Sequence, residues 1–172
     1  HQSGRRQRQM CIRDSLFTEA IIKYGSEEMK KDLLPKLVSG DVIGTLAVTE
    51  DLFAPSKDNI KLSCESGKIN GKKIAVPDAS IATHALVVAK SEKGICLQIA
   101  DLSNEGVSIE HQENIDESRG HFSITFDGVD TQAIGDEISG WDIYESIINQ
   151  AAVLFAYEQI GGSQASLDMA VN

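Results

Sequence analysis

Residues 42–59, VIGTLAVTEDLFAPSKDN, and residues 61–89, KLSCESGKINGKKIAVPDASIATHALVVA, decide the fold. In the first stretch the small and apolar residues Val42, Ile43, Leu46, Ala47 and Val48 form a strand that ends at Thr49-Glu50. Pro55, Ser56, Asp58 and Asn59 then break the β pattern, so a hydroxyl and several backbone amides are delivered to a loop. The second stretch carries a hairpin signal in GKINGKK, because Gly67 and Asn70-Gly71 tolerate the positive φ that a tight turn demands. Ile74 to Val76 and Leu86 to Ala89 follow as strands. Two β edges with an irregular lip between them form a candidate ligand site.

Downstream, GICLQIAD, GVSIEHQ and HFSITFDGV read as further strands, separated by turn signals at Glu92-Lys93-Gly94, at residues 103–106 and at Ser118-Arg119-Gly120. In FSITF, Phe122, Ile124 and Phe126 share one face and Ser123 and Thr125 the other. A long helix follows from about Trp141, with Ile143, Ile147, Ala151, Leu154, Phe155 and Glu158 along one stripe. The acidic run from Asp136 to Glu145 suits the start of this helix, where the backbone dipole favours carboxylates. Gly161-Gly162 costs about 1 kcal/mol per glycine inside a helix relative to alanine, so either the helix breaks there or another helix packs very close. Apolar spacing that continues to Leu167 and Met169 predicts one helix running through both glycines.

Upstream, Phe17, Ala20, Ile21 and Tyr24 stand at helical spacing before the stop at Gly25. Ser26 caps a second helix with Glu27 and Glu28 in its first turn, an apolar face of Leu33, Leu34, Leu37 and Val38, a bend at Pro35 and closure at Gly40. Residues 1–15 differ from all of this, with Arg5, Arg6, Arg8 and Arg13 against Asp14 and no periodicity. They read as a disordered or artefactual leader outside the fold, against the alternative of a basic arm for an anionic partner. The class expected is α+β, with a helical remnant over 16–40, an antiparallel β-barrel or sandwich over 41–136, and the start of an all-α domain over 137–172.

With 172 residues, 41% of them hydrophobic, the chain buries a core. A formal charge of −10 leaves no basic stripe for phosphates, which excludes nucleic acid. Cys11, Cys64 and Cys96 lack the spacing of a disulfide framework or a zinc site, which implies a reducing compartment. His84, His111 and His121 stand apart from carboxylates at metal-ligand spacing, so no metal is expected. No stretch reaches the ~20 apolar residues that cross a bilayer, and a cytoplasmic protein without a membrane partner is expected. No Walker loop, dinucleotide fingerprint, nucleophile elbow or HExxH is present.

The ordered set LPKLVSGD, TLAVTE, GKINGKKIAVPD and IATHALVVAK resembles the acyl-CoA dehydrogenases over residues 20–172. The resemblance implies FAD as cofactor, an acyl-CoA substrate, electron-transfer flavoprotein or a similar acceptor as partner, and an oligomeric whole protein. The implied reaction is α,β-dehydrogenation of the thioester, in which a carboxylate removes the α proton and the flavin takes the β hydride. Thr49, with main-chain groups of Leu46 and Val48, corresponds to the family's hold on the pyrimidine side of the flavin. A threonine that merely caps its own turn is the plainer alternative.

Two departures stand out. The family's Thr-Glu-Pro-Gly-Ala-Gly-Ser-Asp is replaced by TEDLFAPSKD, so the glycines of close approach are missing and Ser56 is the candidate for the serine near substrate. The family's Trp-Ile-Thr is replaced by Ala75, Val76 and Pro77, and Pro77 has neither hydroxyl nor N–H to give, which leaves backbone carbonyls or apolar packing for flavin contact. A non-catalytic structural subunit of a hetero-oligomer is therefore the alternative function. The family's base is expected beyond Asn172, so no catalytic residue is assigned, and the isolated chain is expected to be inactive and to self-associate through an exposed stripe from Ile143 to Leu154.

Overall fold

The computed structural model describes residues 12–115, 119–136 and 138–171. Helices α1 (Ile12–Tyr24) and α2 (Glu27–Ser39) precede seven strands: β1 (Gly44–Ala47), β2 (Ser63–Glu65), β3 (Lys68–Pro77), β4 (His84–Lys90), β5 (Ile95–Asp101), β6 (Val107–Gln112) and β7 (His121–Ile134). Helix α3 (Gly140–Val171) follows. The helices are segregated from the sheet, so the α+β class is the observed one.

The first helix, Ile12–Tyr24, includes residues 12–15 of the stretch read as a leader. Residues 1–11, where the remaining arginines of the leader except Arg13 lie, are outside the described residues. Phe17, Ala20 and Ile21 are fully buried, and the Gly25 N–H donates to the Ile21 carbonyl. Ser26 caps α2 by accepting from the Met29 N–H at 3.1 Å, and Gly40 ends it at φ 82° with its N–H on the Lys36 carbonyl. Met29 and Leu33 are the buried residues of this helix, whereas Val38 points to solvent at 89% exposure, contrary to its place on the expected apolar face. Pro35 lies within the helix, which continues to Ser39.

The strands form one sheet that closes on itself. β4 bonds β5 on one edge, and β1 and then β2 on the other, while β5, β7, β3 and β2 complete the ring and β6 pairs β7. The main pairings are antiparallel, but β1 runs parallel to β4, and β2 meets β4 in parallel at Ser63 opposite Lys90. β4 is buried on both faces, so it reads as a continuous apolar run. Ala85, Val87 and Ala89 join Ile69, Ile124 and Phe126 inside the barrel. Leu86 and Val88 face outward into a second core with Phe17, Ile21, Leu97 and Ile147, which fastens the helices to the barrel wall.

The tight turn of GKINGKK is Ser66-Gly67, with φ 50° and 78°, between β2 and β3. Asn70-Gly71 is instead a bulge inside β3, where the ladder to β7 slips and the Asn70 side chain accepts from the Gly128 N–H at 2.7 Å. Gly71, at φ 137°, lies against Leu62, 3.1 Å from where a Cβ would stand. Helix α3 runs unbroken through Gly161 and Gly162, but nothing beyond the helix's own nearby backbone lies within 4 Å of either position's missing Cβ, so the close neighbour expected there is absent among the described residues. Ile143, Ile147 and Ala151 are buried, whereas every residue from 152 to 171 is exposed.

Candidate functional site

Strand β1 ladders with β4, yet its continuation is stitched to β3 by side chains and single backbone bonds. The buried Thr45 hydroxyl donates to the Pro77 carbonyl at 2.8 Å, and the Ile74 N–H donates to the Thr49 carbonyl at 2.8 Å. Between them the Lys73 ammonium, with no solvent exposure, donates to the Val48 carbonyl at 3.0 Å and to Glu50 Oε1 at 2.7 Å. The Glu50 carboxylate also accepts from the N–H groups of Lys61 at 2.8 Å and Leu62 at 3.0 Å. Burial pushes the Lys73 amine down to about 8, with the Glu50 carboxylate opposing that shift. A seam thus runs from Thr45 to Glu50 along one side and from Pro77 to Lys73 along the other.

The β3–β7 register slips again between Lys73 and Val76. At this second bulge Ala75 takes φ 52°, a left-handed conformation that costs a residue with a Cβ about 1–2 kcal/mol. Its N–H donates to Gln112 Oε1 at 2.7 Å, and its methyl faces solvent. The bulge returns Val76 to the barrel interior at 1% exposure.

The structure brings Leu46, Val48, Thr49, Ala75, Val76 and Pro77 to this seam and divides their capacities. Thr49 is half-buried, and its hydroxyl makes no hydrogen bond among the described residues. Leu46 is half-buried in β1, opposite Leu86. Val48 is buried with its carbonyl held by Lys73, so that group is already committed. The Val76 side chain packs inside the barrel and has no surface for a ligand. The Pro77 carbonyl, one of the backbone acceptors left open to a flavin by the sequence, is engaged by Thr45. Thr49 offers a hydroxyl without a partner among the described residues, Ala75 is exposed, and Leu46 and Pro77 are half-buried.

Ser56 lies apart, in a loop that folds on itself. Its N–H donates to Asn59 Oδ1 at 2.8 Å, the Asn59 amide donates to the Ala54 carbonyl at 2.8 Å, and Lys57 meets Asp142 of α3 at 2.9 Å. The Ser56 hydroxyl has no bond to the seam among the described residues, while Leu52 and Phe53 are exposed at 98% and 75%. Lys73 and Glu50 form a buried pair at the seam that the sequence did not single out. The available signal was a lysine in phase with apolar residues of β3 and a glutamate at the end of the neighbouring strand.

Elsewhere a cleft of about 380 Å³ lies between α2 and the β4, β5 and β7 strands, lined by Asp32, Lys36, His84, Asp101 and Thr131 among others, and no seam residue borders it. His84 stands edge-on to Phe17, and burial lowers its imidazole pKa against the opposing pull of Asp101. His111 packs on Phe122, and His121 bonds Asn114. No group of three or more metal-ligating side chains occurs among the described residues. Among the acids that follow the barrel, Asp136 accepts from the N–H groups of Ile138 and Ser139, Glu145 accepts from the Trp141 indole, Asp142 pairs with Lys57 and Asp168 accepts from the Gln164 amide, whereas Glu158 is exposed. Glu137 lies outside the described residues.

No family model matches the chain. It is 27% identical over 178 residues to the human mitochondrial short-chain specific acyl-CoA dehydrogenase, covering 95% of this chain and 43% of that protein. Butyryl-CoA dehydrogenase from Megasphaera elsdenii superposes with a TM-score of 0.72 at 20% identity, over 80% of this chain and 40% of that one. A glutaryl-CoA dehydrogenase from Mycobacterium smegmatis in complex with FADH2 superposes with a TM-score of 0.68 at 24% identity, over 80% and 37%. The chain therefore spans less than half the length of these relatives. No helix among the described residues is long and apolar enough to cross a membrane.

Proposed function

We propose, from the premise that this chain belongs with the acyl-CoA dehydrogenases over most of its length, that it supplies the β edge on which the whole protein holds FAD beside an acyl-CoA thioester. The observation that carries this reading is the seam. Thr49 presents an uncommitted hydroxyl at a strand end, and two strands meet beside it at a bulge where Ala75 shows only a methyl. A planar ring system suits that edge, with Thr49 donating to a ring carbonyl and Ala75 leaving room for the ring face.

Bound there, FAD supplies hydride acceptance from the β carbon of the thioester. The residues of this chain bind and orient. Leu46 and the Ala75 methyl exclude water from the ring edge, and Ser56, in the 51–59 loop apart from the seam, is the residue proposed to face the acyl group. The α proton goes to a base outside this set: Asp142 and Glu145 are paired with Lys57 and Trp141, and Glu158 and Asp168 lie on the exposed half of α3. Electron-transfer flavoprotein as acceptor and an oligomeric state belong to the same reading of the whole protein.

The test is flavin titration of the whole protein and of Thr49→Val. The loss of one net hydrogen bond of about 0.5–1.5 kcal/mol weakens FAD binding roughly 2- to 13-fold. Unchanged affinity removes Thr49 from the site. Wild-type protein that takes up no flavin overturns the enzyme reading and leaves the non-catalytic subunit.

A further inference from the structure

We infer that Lys73 is a positioning residue for the flavin edge, acting through the backbone on both sides of Thr49; the inference rests on the flavin reading above. Its ammonium holds the residue before Thr49 by the Val48 carbonyl at 3.0 Å and the residue after it by the Glu50 carboxylate at 2.7 Å. Thr49 itself is held by the Ile74 N–H on its carbonyl at 2.8 Å. Three consecutive residues at an irregular strand end are therefore fixed from one neighbouring strand, and the Thr49 hydroxyl is the group left over. A strand end beyond its ladder otherwise has rotational freedom, and a donor that must meet a rigid ring loses affinity in proportion to the freedom it surrenders on binding. Lys73 removes that freedom before the ligand arrives.

The cost of the device argues that it is more than packing. An ammonium with no exposure has surrendered its hydration, and an apolar side chain of similar length would fill the same space without that penalty. What an apolar side chain cannot do is bond a carbonyl and a carboxylate on either side of a third residue. Glu50 extends the clamp by accepting from Lys61 and Leu62, so the far end of the 51–59 loop is referenced to the same point.

The experiment uses the whole flavin-loaded protein and compares wild type, Lys73→Met and Lys73→Met/Glu50→Gln. Positioning predicts that both variants keep the wild-type circular dichroism and melt cooperatively. It predicts FAD binding weakened at least 10-fold, with a shifted flavin absorption maximum and midpoint potential. Rescue of neither property is expected from the double variant, because it restores charge balance but not the grip on Val48. Variants that fold and bind FAD with wild-type affinity and spectrum overturn the inference while leaving the flavin reading intact. If Lys73→Met alone fails to fold, the double variant decides by the same readouts. Wild-type protein devoid of flavin defeats the underlying reading instead, so the two failures are distinguishable.

Discussion

Glu50 and Lys73 meet at 2.7 Å with 9% and no side-chain exposure, and at that depth an unpartnered charge is expensive while a matched apolar replacement is tolerated. Glu50→Gln leaves the ammonium buried against a neutral amide and should cost about 3–5 kcal/mol by denaturant melts, of which Lys73→Met added to it should return most. A double variant no more stable than Glu50→Gln would show that the pair is not the source of the loss. The same lysine gives a pH signature. Its folded pKa of about 8 lies below the ordinary 10.5, so between those values the unfolded chain holds the extra proton. Stability from this group is present above 10.5 and is lost as pH falls through 8. Wild type should therefore gain stability relative to Lys73→Met as pH rises from 8 to 10.5, and parallel pH curves would contradict it. Ala75 offers a separate check, since glycine relieves its positive φ: Ala75→Gly should hold or raise the melting temperature, where an ordinary exposed strand alanine would lose about 0.5–1 kcal/mol. The positions of Thr49 just past β1 and of Ala75 within β3 could be read from the strand patterns around them. The orientations of Val76 and Pro77 could not, because one bulge at Lys73–Val76 changes which face each residue takes and no local residue type announces the slip.

The elements were legible where periodicity and caps agreed. Ser26, Gly40 and the Phe17–Tyr24 spacing placed α1 and α2, and the apolar run of β4 marked a strand covered on both faces. What stayed hidden were choices between two glycine-bearing pairs: Ser66-Gly67 makes the turn and Asn70-Gly71 the bulge, because the β2 pairing of Ser63 with Asn70 leaves Asn70 inside the ladder. The parallel pairing of β1 with β4 is a long-range choice that no local pattern encodes. Packing between elements is tightest at two glycines. A Cβ on Gly44 would stand 2.2 Å from the Phe17 ring, and one on Gly140 would stand 2.5 Å from the Cys96 backbone. The ring can shift and the backbone of a central strand cannot, so Gly140→Ala should be the more damaging, costing more than the roughly 1–3 kcal/mol of ordinary overpacking. Melting curves that rank Gly44→Ala as the worse would mean that α3 docks on β5 more loosely than its start implies.

At the scale of the whole molecule, α3 is two helices in one. Its first half spends Ile143, Ile147 and Ala151 on the outer core, which corrects the expectation that a stripe from Ile143 onward would be bare. The bare part begins later: Val153, Leu154, Tyr157, Ile160 and Leu167 are each more than half exposed, on a segment where no residue is buried. An apolar face of this length is a docking surface when a partner is available and an association surface when none is. The isolated chain should therefore sediment above monomer mass at micromolar concentration, and Leu154→Glu/Ile160→Glu, or truncation after Ala152, should restore the monomer without loss of β signal. A competing source of association is β6, which among the described residues pairs β7 alone and leaves its outer edge unpaired. If truncated chain still associates while a proline or lysine on β6 disperses it, the exposed half of α3 is not the cause. If both the truncation and the paired glutamates give monomer, the exposed face of α3 is the association surface.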